Sequence, residues 1–223
     1  LGYNDLAQGK NQYTTSQSWE EASSYQMFRA NYSLMSKYML TGTIRRDGFS
    51  GFSSSNKFAI FPSAAVAWRL SEEEFIKDKK DWIDDLKLRF SYGVNGNRTL
   101  SRYQTMATMK FVDSYLYGDG APAEKGSFIN TMANDDLKWE TTKTFNIGSD
   151  FSFLGNRIFG FLEFYKSKTE DLLYNVNIPY MNNNINSIAT NIGELSNWGT
   201  ELKVTGVPIS NEDFSWDITF NFS

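Results

Sequence analysis

The chain has 223 residues, with 22 basic and 26 acidic side chains and a formal net charge of −4; this balance excludes a broad nucleic-acid footprint, which needs a basic face. It contains neither cysteine nor histidine, which removes disulfides, thiol nucleophiles, imidazole bases and the usual zinc ligands together. Mean hydropathy is −0.46 and no apolar run approaches the ~18 residues of a membrane-spanning helix, whereas a barrel strand is half polar and fits such a value.

Eight segments alternate apolar and polar residues with period two, the signature of strands whose successive side chains face opposite sides. The first, 24–34, puts Phe28, Ala30, Tyr32 and Leu34 on one face; the second, 38–46, does the same with Tyr38, Leu40, Gly42 and Ile44. Residues 35–37 join them as a hairpin. A Gly/Ser-rich loop leads to 58–70, where Phe58, Ile60, Pro62, Ala64, Val66 and Trp68 share a face. Pro62 is out of place there, because proline cannot donate to a ladder.

Residues 71–85 are acidic then basic, and the spacing of Ser71 and Glu74 predicts a short helical turn opened by a capping box. The strand 86–95 follows, with Leu86, Leu88, Phe90, Tyr92 and Val94 against Lys87, Arg89 and Ser91. A long irregular stretch spans 96–140, a length associated with functional loops. Then come 145–153, a turn at 154–156, and a mate over 157–168 whose facing is blurred by Phe159, Phe161 and Tyr165. After a polar loop at 169–190, the strands 198–205 and 214–222 close the series.

Short connections at 35–37, 154–156 and 208–213 alternate with long ones at 46–57, 96–140 and 169–190; only 71–85 breaks the rule. Outer-membrane barrels have this asymmetry, with short periplasmic turns and long outer loops. The N-terminal residues show no secretory signal, so the expectation is a removed signal or a piece of a longer chain. By strand parity both ends of the piece lie outside. Two rivals stand beside this reading: a secreted or surface glycan-binding β-sandwich, and a complete small eight-stranded barrel. An enzyme lacks any converging catalytic set.

Several motifs in order carry a family resemblance: Arg45-Arg46-Asp47-Gly48; Phe61-Pro62-Ser63 with Ala67-Trp68-Arg69; and Ser91-Tyr92-Gly93-Val94-Asn95-Gly96-Asn97. Downstream lie Asp136-Leu137-Lys138-Trp139-Glu140, Asn146-Ile147-Gly148, Thr169-Glu170-Asp171-Leu172-Leu173, Asn191-Ile192-Gly193 and Asn197-Trp198-Gly199-Thr200-Glu201-Leu202. From about Tyr38 onward the chain resembles the C-terminal barrel region of the SusC-like (SusC/RagA) TonB-dependent outer-membrane transporters of Bacteroidetes. The resemblance implies an all-β, antiparallel transmembrane barrel of about 22 strands, with residues 1–223 as an eight-strand part of one barrel domain. It also implies an N-terminal plug, coupling to TonB, a SusD-like surface lipoprotein as lid, and import of a large nutrient, oligosaccharide by default or peptide. No cofactor is implied.

Under that expectation Arg29, Arg45, Arg69, Lys87, Arg89 and Glu201 face the lumen, where they line a substrate path or pair with the plug and with one another. Tyr103, Tyr115, Tyr117, Tyr174 and Tyr180 lie in long loops, where they stack on sugar rings, touch the lid, or pack the loops. Trp68, Trp82, Trp139 and Trp216 fall near strand ends, as interfacial belts require. Glu72–Glu74 and Asp84–Asp85 read as a solvated face rather than as a glycosidase pair.

Overall fold

A computed structural model describes residues 18–77, 82–99, 101–115, 124–178, 185 and 187–223. The strands are β1 (Ser23–Leu34), β2 (Tyr38–Phe49), β3 (Phe58–Arg69), β4 (Ile83–Asn97), β5 (Thr108–Tyr115), β6 (Glu124–Thr131), β7 (Glu140–Phe153), β8 (Ile158–Glu170), β9 (Leu173–Asn177), β10 (Ser187–Asn191), β11 (Glu194–Ser210) and β12 (Ser215–Phe222). Eight of them form one antiparallel sheet in the order β1-β2-β3-β4-β7-β8-β11-β12. All eight segments read from alternation are present, most of them longer than the alternation alone marks. The long connections also hold two hairpins, β5–β6 and β9–β10, which the alternation left as irregular loop.

Register fixes the faces, because directly opposed residues of antiparallel strands point the same way. One row across the sheet reads Tyr32, Leu40, Val66, Phe90, Ile147, Phe164, Thr200. The next reads Asn31, Thr41, Ala65, Ser91, Asn146, Tyr165, Gly199. The first six residues of the apolar row are exposed, so no second layer of the described protein covers that face. A sandwich would bury it against another sheet, and the only other sheets among the described residues are the two small hairpins. The apolar face is that of a barrel wall.

Local chemistry explains the elements. Met35 and Ser36 both adopt left-handed φ (53° and 56°), and the Lys37 amide bonds to the Leu34 carbonyl at 3.0 Å; this I′-type turn matches the twist of the hairpin. Pro62 is tolerated because the β3–β4 ladder stops at Ser63, immediately beside it. In β8 the register resolves the ambiguous facing: Ile158, Leu162 and Phe164 share the apolar face, while Phe159, Phe161 and Tyr165 oppose Ser152, Asp150 and Asn146 on the polar one. Aromatics on both faces erase the hydrophobicity period there, whereas the ladder does not depend on it.

The buried core lies at the long-loop end of the wall. Phe49, Phe52, Phe61, Leu137, Trp139 and Ala189 cluster there, with Trp139 5.0 Å from the Phe52 ring and 5.8 Å from the Phe61 ring. Trp139 is therefore a loop-core residue, not a belt residue, and its indole N–H donates to the Asn56 carbonyl at 3.1 Å. Leu137 is completely buried. Leu137→Ala in the intact protein should weaken this core by about 2–5 kcal/mol. Hydrogen exchange is the measurement: faster exchange is expected at 49–56 and 187–191, with the amides of the central strands unchanged.

Candidate functional site

The polar face of the wall is an array of paired charges. Lys87 Nζ lies 2.6 Å from Asp150, and Arg89 bridges Asp150 at 2.9 Å and Glu163 at 3.2 Å. Arg69 meets Asp85 at 3.4 Å, and Arg29 Nε donates to the Thr43 hydroxyl opposite it at 3.1 Å. Arg45 pairs with the buried Asp47 at 3.0 Å and donates to Asn95 at 3.0 Å. Glu201 is exposed and stands directly opposite Glu163. All six candidate lumenal residues thus share one face, with Arg69, Lys87, Arg89 and Glu163 forming a connected strip and Glu201 at its edge.

Of the acidic half of this strip, the sequence reads Asp85 only as part of a solvated face and does not single out Asp150 or Glu163. Asp150 was recoverable, since it alternates with Ser149 and Phe151; Glu163 was not, because β8 has aromatics on both faces. One glycine shapes the strip. Gly148 opposes Arg89 in the ladder, and a Cβ there would lie 3.0 Å from Arg89 Nη2. The bare backbone lets the guanidinium lie across β7 to reach Glu163 on β8.

At the long-loop end, two cavities open beside the aromatic core. The larger, about 720 Å³, is lined by Glu20, Phe49, Ser53, Lys57, Arg102 and Tyr103 among others. The smaller, about 210 Å³, is lined by Arg45, Asp47, Arg98 and Trp139, among others. Arg45 Nε and Asp47 Oδ1 are buried there without hydrogen-bond partners. Tyr103 is partly committed to packing, because its hydroxyl accepts from the Glu20 amide at 2.9 Å. Tyr174 is 66% exposed on β9. Tyr115 ends β5 opposite Glu124, and Tyr117 and Tyr180 lie outside the described residues.

The loops are knitted together by short polar contacts. Asn191 receives the Lys138 amide at 2.9 Å and donates back to the Lys138 carbonyl at 2.9 Å and to the Asp171 carbonyl at 2.8 Å. The Thr105 hydroxyl donates to the Gly51 carbonyl at 2.9 Å, and Asn134 to the Ala189 carbonyl at 2.8 Å. These bonds account for the asparagine and Leu-Lys-Trp motifs: they hold the outer loops on the wall.

At the short-turn end, the connection between β3 and β4 contains a 3-10 turn (Leu70–Glu72) and a helix α1 (Glu74–Lys77). Helical structure is as expected, but Ser71 does not cap it; it is buried and its hydroxyl donates to Asp85 at 2.8 Å. The acids are only partly a solvated face: Glu74 and Asp84 are exposed, whereas Glu73 and Asp85 turn to partners on the wall. Glu73 accepts from Tyr38 Oη at 2.7 Å, Trp68 Nε1 at 3.0 Å and Lys37 Nζ at 3.2 Å, and Asp84 accepts from the Asn156 amide at 2.8 Å. Those three donors, Tyr38 foremost, lower the Glu73 pKa from 4.5 to about 2.

Two outcomes follow from this geometry. Gly148→Leu should displace Arg89 from Glu163, and the loss should nearly vanish in an Arg89→Ala background; the coupling in a double-mutant cycle should be about 0.2–1 kcal/mol, as for half-exposed pairs. For Glu73, a depressed folded pKa favours the ionised state, so its contribution is complete above pH 4.5 and fades as pH falls toward 2. The thermal-midpoint difference between wild type and Glu73→Gln should be flat from about pH 5 to 8 and shrink below 4.5.

Comparison with known proteins fits these features. Residues 2–223 match the family model described as TonB dependent receptor-like, beta-barrel. The chain is 42% identical over 195 residues to TonB-dependent receptor P3 of Formosa agariphila, covering 87% of this chain and 19% of that protein. It is 38% identical over 203 residues to TonB-dependent receptor SusC of Bacteroides thetaiotaomicron, again covering 87% and 19%. The chain thus spans about a fifth of the length of these relatives. In the structure of the RagAB peptide transporter, a chain superposes with a TM-score of 0.81 at 30% identity, over 97% of this chain and 24% of that one. The siderophore receptor PirA of Pseudomonas aeruginosa, at 16% identity and a TM-score of 0.56 over 91% of this chain and 34% of that one, shares the fold alone. A two-faced wall, an ionic strip on its polar face and knitted loops, matched from one end of the chain to the other, place it in the TonB-dependent receptor-like β-barrel family, a non-enzymatic family of outer-membrane proteins.

Proposed function

We propose that residues 1–223 are a continuous part of the barrel domain of an outer-membrane importer of the SusC/RagA type, one that takes up an oligosaccharide by a TonB-driven mechanism. The observation that carries this reading is the opposition of faces: exposed aromatic and aliphatic rows on one side, paired charges on the other. In lipid every backbone polar group must be satisfied within the protein, and a closed sheet with an apolar exterior does so. The paired strip suits contact with a polar plug filling the lumen, and this is the role proposed for Arg29, Arg45, Arg69, Lys87, Arg89 and Glu201.

Ligand is captured at the long-loop end, between the loops and a SusD-like lipoprotein lid, and is released inward when TonB displaces the plug. The role proposed for Tyr103, Tyr115, Tyr117, Tyr174 and Tyr180 is contact with ligand or lid. Tyr174 is the best placed of the described ones, being exposed on a hairpin tied to the wall by Asn191. No bond is made or broken in the ligand. A peptide ligand is the second reading, and the 30% identity to the RagAB peptide transporter favours it.

Uptake by cells expressing the full-length protein distinguishes these readings. Labelled oligosaccharide should accumulate only when TonB is present, and Tyr174→Ala should weaken capture about fivefold, the equivalent of about 1 kcal/mol of aromatic contact. Accumulation of peptides alone would move the ligand to the second reading. Uptake that persists without TonB would overturn the mechanism.

A further inference from the structure

The connection between β3 and β4 crosses the lower edge of the wall from one face to the other. Ser71 is still on the polar side, where its hydroxyl meets Asp85, a residue that opposes Ser152 on that face. Two residues later Glu73 is on the apolar side, held by Tyr38 and Trp68, which oppose each other at the end of an apolar row and stack at 6.4 Å. The return to β4 is also fixed to the apolar side: Trp82 stacks on Phe153 at 5.7 Å, and Phe153 on Phe151 at 5.5 Å. The Leu154 amide bonds to the Trp82 carbonyl at 3.0 Å.

Both ends of this segment are therefore pinned to the face that meets the membrane. Between them the one-turn helix α1 leaves Phe75 63% exposed, and Trp82 is 50% exposed. An exposed aromatic side chain two residues from Glu73, on a segment fastened to Tyr38, Trp68 and Phe153, has the chemistry that favours the boundary between headgroups and acyl chains. A carboxylate at that boundary must have its charge satisfied by the protein, and Glu73 has three donors and remains ionised far into the acid range.

We infer that the segment from Glu73 to Ile76 is a membrane-surface strap, clamped by Glu73 to Tyr38, Trp68 and Lys37, which lays Phe75 into the headgroup region of the leaflet on the short-turn side. Its partner is the lipid surface itself, not a soluble periplasmic protein. The inference rests on the reading that the apolar face meets lipid. A strap of this kind anchors the rim of the wall at a fixed depth.

The test uses the full-length protein in lipid bilayers. This chain contains no cysteine, so Phe75→Cys and, as a mid-wall control, Ile147→Cys take a fluorescent label at one known position each once any cysteine elsewhere in the protein is replaced. Quenching is read with lipids bearing a nitroxide near the headgroup, lipids bearing one deep in the acyl chain, and aqueous iodide. The deep nitroxide should quench the Ile147 label. The shallow nitroxide should quench the Phe75 label, with iodide several-fold less effective there than at a label on Ser36. Glu73→Ala should raise iodide quenching at Phe75 several-fold, with Glu73→Gln intermediate because its amide oxygen still accepts from Tyr38 and Trp68. A Phe75 label that iodide quenches freely and lipid does not, with Ile147 still quenched by the deep nitroxide, overturns the strap and leaves the wall intact. If lipid quenches neither label, the lipid-facing assignment of the wall fails, and the strap with it.

Discussion

The direct opposition of residues across the seven ladders of the large sheet is the constraint on which the rest of this structure depends. Side-chain period in a strand is two, so a slip of one residue between any two strands would exchange their faces. Here that exchange would turn Lys87, Arg89, Asp150 and Glu163 toward the apolar exterior and Phe90, Ile147 and Phe164 toward the charges. A one-residue slip is therefore far costlier than the loss of any single contact, and the fold needs no second layer to define it.

The ion pairs on the polar face act within that constraint. Half-exposed pairs of this sort contribute little to stability individually, and the strip from Arg69 to Glu163 would be a poor account of why the sheet forms. It is a better account of why the sheet forms in one register. Arg89 reaches Glu163 only where Gly148 lies between them, and a shifted β7 would place Ile147 or Ser149 in that gap. Like-charged Glu163 and Glu201 in direct opposition cost some of this gain.

Strand alternation made the eight wall strands legible, because each has a face that must be apolar and a face that must not. Legibility failed where a second cause set the residue type. In β8 the inward aromatics Phe159, Phe161 and Tyr165 hide the period. In β5–β6 and β9–β10 the strands are short and lie in outer loops, where neither face has a solvent that imposes alternation. Trp139 has the residue type of a belt residue and the environment of a core residue, a difference made by Phe52 and Phe61 from distant segments together with the neighbouring Leu137. Glu73 lies in an acidic run that suggests hydration, and only the fold brings Tyr38 and Trp68 to it. The two candidate sets divide the same way: parity places the six charged candidates on one face of the sheet, while the tyrosines depend on loop packing that periodicity does not encode.

The two ends of the wall are held by different physics, and this bears on where motion can occur. At the long-loop end the buried side chains come from separate connections, Phe49 and Phe52 from one, Leu137 and Trp139 from a second, and Ala189 from a third. Displacing any one of them uncovers apolar area of the others, so the segments behave as one body rather than as independent flaps. Tyr174 and the rim of the large cavity stand on that body. A stiff body of this kind resists inward folding of any one of its segments. At the short-turn end Ile83 is buried outside the aromatic cluster, and the rim is fastened by carboxylates, Glu73 to Tyr38 and Trp68, Asp85 to Ser71 and Asp84 to the Asn156 amide, and by the Trp82–Phe153 stack at the sheet edge. One end is thus held by apolar packing between segments and the other by directed hydrogen bonds and ring contacts at the sheet edge.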